Sequence, residues 1–197
     1  GIINEADGTI TGGSYGIHFT SSDAAGSTVA NYGTIQSTAA GGRGIYSVAS
    51  IEISNYSVDS GGNSTLGTIQ GDTGIGMTAG GKILNYGKVI GDTGTGITNT
   101  GASVVFTNGY NGVVTGNVTL SNVVNAVTFE VGSRITGNFT IGTGGSTLDF
   151  TGPYPANMAA WNYTYATVGG TTTLGPTTKV TFGNDWAGML YSLPITE

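Results

Sequence analysis

Two turns of the same wording, Gly71-Asp72-Thr73-Gly74 and Gly91-Asp92-Thr93-Gly94, lie 20 residues apart and carry the two acids best placed for joint chemistry. Neighbouring carboxylates resist double ionisation, so such a pair either shares a proton, as in an acid/base dyad, or takes up a cation. If the turns occupy successive layers of a repeat, the acids stand about 5 Å apart. Asp72 and Asp92 are therefore weak candidates for a calcium site. The bland alternative is that each Asp binds its own turn backbone. The wording matches the paired Asp-Thr-Gly of a proteolytic dyad, but here both turns sit in one glycine-rich array, which argues against hydrolysis.

Other chemistry has little material. The eleven acids are otherwise scattered, and His18, the single histidine, sits between Ile17 and Phe19 and reads as a surface or packing residue. A Ser/His/Asp arrangement would rest on it alone. There is no cysteine, which removes disulfides, thiolate metal sites and thiol nucleophiles together. No glycine-rich loop runs into Lys-Ser or Lys-Thr, so no phosphate cradle is expected. Five basic residues, Arg43, Lys82, Lys88, Arg134 and Lys179, against a net charge of −6 leave no footprint for nucleic acid or an anionic membrane. The sequence predicts a protein that is not an enzyme and carries no cofactor.

Binding is the better-supported chemistry. Tyr32, Tyr56 and Tyr86 each follow an asparagine in a recurring phrase, and a column of their rings would offer flat platforms to sugars or simply stack on itself. The asparagines Asn4, Asn31, Asn55 and Asn85, with Asn108 opening a further copy, are 27, 24, 30 and 23 residues apart. Equivalent asparagines in stacked turns can hydrogen-bond to one another along the stack, so these four are read as a structural ladder.

The elements that would position such columns are short strands. The phrases Val29-Ala30-Asn31-Tyr32-Gly33-Thr34-Ile35 and Ile83-Leu84-Asn85-Tyr86-Gly87-Lys88-Val89 are followed in each repeat by a Gly-Ile strand: Gly16-Ile17, Gly44-Ile45, Gly74-Ile75 and Gly96-Ile97. Repeats of this length, with β-branched residues at alternate positions and glycine turns between, suit the coils of a parallel β-helix. Charged residues make up only 8% of a chain with 37 glycines, so Thr, Ser, Asn and Gly must supply the polar surface. We expect an all-β solenoid of about 7 to 9 coils with essentially no α-helix.

Residues 1–152 form the coils, and 153–197 form a C-terminal β segment, either further coils or a cap. That segment holds Trp161 and Trp186, strand candidates at Tyr163 to Val168, Thr171 to Leu174 and Lys179 to Phe182, and one possible helical turn at Ala156 to Trp161. From Ala102 the rungs tighten, with Thr-Gly-Asn recurring 21 residues apart. Loops lengthen at Thr20 to Thr28, Ser37 to Arg43 and Ser57 to Leu66; emerging at one corner, they would make a decorated binding end.

The Asn-Tyr-Gly-Thr-Ile and Asn-Tyr-Gly-Lys-Val-Ile-Gly phrases, with the Gly-Ile strands between them, resemble passenger domains of bacterial autotransporters over about residues 1 to 150. That resemblance implies a right-handed parallel β-helix on, or released from, a Gram-negative outer surface. It implies anchoring through a C-terminal barrel outside this chain. Partners expected on this reading are the chain itself, by lateral association, or a surface receptor or glycan. A glycan-binding or glycan-cleaving β-helix and a stalk presenting another domain are the alternatives. The opening Gly1-Ile2-Ile3-Asn4, already inside a repeat, suggests a piece of a longer protein.

Overall fold

Alternating apolar residues separated by glycine corners fold into three flat faces that the chain visits in order on every turn. The computed structural model describes residues 1–57, 66–151 and 167–182. The first face stacks eight parallel strands: β1 (Ile2–Asn4), β4 (Thr28–Asn31), β7 (Ile51–Asn55), β9 (Gly81–Asn85), β11 (Val104–Asn108), β13 (Ala126–Glu130), β16 (Thr147–Thr151) and β19 (Lys179–Phe182).

The second face begins with β2 (Thr9–Gly12) and β5 (Thr34–Ser37), and the third with β3 (Tyr15–Phe19) and β6 (Arg43–Ser47). Three longer strands, β8 (Thr68–Met77), β10 (Lys88–Asn99) and β12 (Val113–Thr119), run across both. Beyond them the two faces separate again: β14 (Arg134–Ile135) and β17 (Thr167–Val168) extend the second, β15 (Phe139–Thr140) and β18 (Thr172–Thr173) the third.

Every pairing between these strands is parallel, and each face sends at least one column of side chains inward. On the first face that column runs Val29, Ile53, Ile83, Phe106, Val127 and Leu148; on the second, Ile35, Ile69, Val89, Val114 and Ile135; on the third, Ile45, Ile75, Ile97, Val118 and Phe139. All are buried in one continuous core. Each such side chain contributes roughly 2 kcal/mol by leaving water, so the solenoid is held by its interior columns and by the strand ladders that fix their spacing.

The recurring Gly-Ile is explained at the bend between the second and third faces. A Cβ on Gly16 would lie 2.6 Å from the Gly44 carbonyl oxygen, one on Gly44 2.7 Å from that of Gly74, and one on Gly74 2.7 Å from that of Gly96. Successive backbones approach too closely there for any side chain, while the isoleucine that follows turns into the core.

The fold is the expected parallel β-solenoid. No α-helix occurs among the described residues; one turn of 3-10 helix, Ser22–Ala24, is capped by the Ser21 hydroxyl, which accepts from the Asp23 N–H at 3.1 Å. Among the described residues β1 to β16 span about six turns, slightly fewer than the 7 to 9 expected for the whole chain. The three long loops also do not share a corner. One joins the third face to the first between β3 and β4, one joins the second to the third between β5 and β6, and one joins the first to the second between β7 and β8. The insertions fall within the first three turns, as expected, but at three different corners, and residues 58–65 of the third lie outside the described residues. After Thr151 the strands β17, β18 and β19 continue the register of β14, β15 and β16. Trp161, Trp186 and the helical turn expected at 156–161 lie outside the described residues.

Candidate functional site

The asparagine column closes the corner after the first face. Asn4, Asn31, Asn55 and Asn85 stand in register and are buried, and each Nδ2 donates to the next Oδ1 at 2.8, 2.8 and 2.9 Å. Asn108 is a fifth member, its Oδ1 accepting from Asn85 at 2.9 Å. The second N–H of each amide reaches a backbone carbonyl one turn on: Thr34, Thr68, Lys88, Val113 and Arg134 in order, at 3.0 to 3.3 Å. The ladder has one direction, and its amides serve the corner rather than a ligand.

After Asn108 the same register position is taken by Phe129 and then Phe150, both buried. Phe129 meets Phe106 edge-on at 6.3 Å, Phe139 at 5.1 Å and Phe150 at 5.7 Å. An apolar aromatic corner thus replaces a hydrogen-bonded one in the same column.

The tyrosines follow the asparagines onto the outside but do not form a three-ring column. Tyr32 and Tyr56 stack at 4.6 Å with planes 10° apart. Tyr86 lies instead over Gly109, where a Cβ would come within 2.1 Å of the ring, and its hydroxyl donates to Glu130 Oε1 at 3.4 Å. Glu130 Oε2 accepts the Tyr110 N–H at 2.8 Å. Loss of solvent, followed by the neighbouring Tyr56 and Glu5, pushes the Tyr32 phenol up from its ordinary range. Burial, followed by the Glu130 charge, does the same for Tyr86. Each phenol therefore resists ionisation in the folded chain.

The two aspartates take separate partners. Asp72 Oδ2 accepts the Gly41 N–H of the preceding turn's loop, and Asp92 takes the Gln70 amide at 3.0 and 3.2 Å. The strands that carry them pair at Gly71 and Gly91 and again at Thr73 and Thr95, with a bulge in β10 between those points. Among the described residues no group of three His, Asp or Glu side chains gathers around a common point.

The third face brings together residues that the sequence reading left apart. Tyr15 is the register partner of Arg43, and His18 that of Tyr46. Tyr15 and His18 lie 4.1 Å apart between ring centroids, His18 and Tyr46 5.2 Å, and Tyr15 and Tyr46 5.6 Å. The Arg43 guanidinium carbon stands 4.1 Å over the Tyr46 ring. Part of the signal was present in the Gly-Ile phrase: aligning Tyr15-Gly-Ile-His18 with Arg43-Gly-Ile-Tyr46 sets Tyr15 beside Arg43 and His18 beside Tyr46, although strict alternation would turn Tyr15 and Arg43 to the side of the inward isoleucines. His18 is thus a surface residue, as expected, but part of a cluster.

No family model matches this chain, and neither does any curated protein or solved structure.

Proposed function

We propose that this chain is a non-enzymatic contact module of a surface-displayed or secreted β-solenoid, acting in adhesion or self-association through its flat first face. The supporting observation is the lack of uncompensated charge over its strands β4 to β11, whereas Glu130, Asp149 and Lys179 charge the later ones. From β4 to β11 the only ionised side chains are Glu52 and Lys82, and these pair with each other at 3.4 Å. The row beside them is Ala30, Leu84 and Thr107, all half-buried, with Ser54 buried among them and Val105 47% exposed next to it. Such a surface can meet a second copy without like-charge repulsion and without stripping water from isolated ions.

Size sets the strength. The four strands from β4 to β11, about 4.8 Å apart and roughly 17 Å long, present on the order of 300 Å², well below the ~800 Å² per partner of a standard stable interface. Contact through this face is weak singly and effective when many molecules are arrayed on a surface. The autotransporter-like phrases support placing that array on a bacterial exterior.

Sedimentation at rising concentration tests the reading. Reversible association is expected, and Val105→Lys should return the chain to monomer by placing an unpaired ammonium in the contact. A chain that stays monomeric up to its solubility limit, or association that Val105→Lys leaves unchanged, overturns it.

A further inference from the structure

On the third face, we infer that Tyr15, His18, Arg43 and Tyr46 form a binding site for a sugar acid, its ring resting on the aromatic surface and its carboxylate held by Arg43. The site is separate from the first face and does not depend on self-association.

Charge is the first argument. The molecule is acidic overall and has five lysines and arginines, yet Arg43 and the sole histidine both gather at one tyrosine ring. Among the described residues neither side chain has an ion-pair or hydrogen-bond partner, the Glu52–Lys82 pair being the only salt bridge. The Arg43 guanidinium carbon stands over the Tyr46 ring, and its N–H donors, unpartnered among the described residues, are available to a carboxylate, the group their forked geometry matches best.

Shape is the second. Gly76, the register partner of Tyr46 on the next turn, supplies a floor: a Cβ there would lie 3.2 Å from both Arg43 Cδ and Tyr46 Cδ2. The arginine stem and the tyrosine ring lie down over this glycine. His18 is exposed and Tyr15 half-buried, so ring surface remains open to solvent beside the guanidinium. Flat aromatic surface accepts the apolar C–H side of a pyranose.

The same facts choose among anions. A polyphosphate or nucleic acid needs a run of cations, whereas this cluster has one permanent charge on a molecule of net charge −6. A ring with one carboxylate and several hydroxyls asks for one arginine. The Thr98 side chain, next in the row after Gly76, offers a hydroxyl to such a ligand.

The test is titration of the intact chain with N-acetylneuraminyl-lactose and with lactose, followed by tyrosine ring shifts in NMR. The acidic trisaccharide should bind at least about tenfold more tightly than lactose, the weight of one charge-assisted contact. Arg43→Gln should abolish that preference and Arg43→Lys should retain part of it, with circular dichroism reporting that both remain folded. Tyr15→Ala should weaken the trisaccharide several-fold without restoring equality with lactose. Absence of trisaccharide binding, equal binding of the two sugars, or a preference that survives Arg43→Gln each overturns the assignment.

Discussion

Replacing Asn55 with alanine would affect two neighbours at once. Asn31 Nδ2 would lose one acceptor and Asn85 Oδ1 its ladder donor, both in a buried corner. A buried polar atom left unsatisfied costs about 1–3 kcal/mol, so Asn55→Ala should destabilise by roughly 3 kcal/mol. Asn4→Ala, which removes a donor to Asn31 alone within the ladder, should cost about half as much. Urea unfolding of the two variants checks this, and equal losses would mean that the amides act independently. This ladder was legible in sequence because the same residue recurs at one place in each repeat. Its continuation as Phe129 and Phe150 was not, since a corner can be filled either by amides that satisfy one another or by rings that need no partner. Only the register shows that these are one column. The Tyr86 contact with Glu130 was hidden for a related reason: it spans 44 residues and two turns, beyond any local phrase.

Among the elements, β10 shows how a strand crosses from the second face to the third. Its register with β8 breaks between Gly91 and Thr95, and the two ends of that bulge differ sharply. A Cβ on Gly91 would lie 1.9 Å from the Thr95 carbonyl oxygen, whereas Gly94, at φ +96°, has open space around it. Gly91→Ala must displace backbone and should cost on the order of 3 kcal/mol or more. Gly94→Ala meets only the left-handed conformation and should cost about 1 kcal/mol. Thermal melts of the pair would separate them, and a Gly94 variant as damaged as the Gly91 variant would contradict the packing argument. Strand identity was readable from the alternation of apolar residues. Loop placement was not: sequence supplies the length of an insertion, but its corner depends on which face the preceding strand occupies.

For the whole molecule, one turn equals one interchangeable unit. Gly81 is the register partner of Val104, and Asn85 that of Asn108, so removing residues 81–103 takes out one complete turn and sets β11 against β7 with Asn55 beneath Asn108. The shortened chain should fold, with a denaturant slope reduced roughly in proportion to the residues lost. Failure to fold would show that the turns are not modular, and circular dichroism with urea titration gives the answer. That modularity raises the question of how a chain of similar turns counts itself. Within the run from Asn4 to Asn108, slipping by a whole turn still sets amide on amide, and the error is nearly invisible to the column. At the step from Asn108 to Phe129 it is not: a slip there puts an aromatic ring where an amide expects a partner. Within that column, the single change of chemistry is a landmark from which the turns on either side take their position.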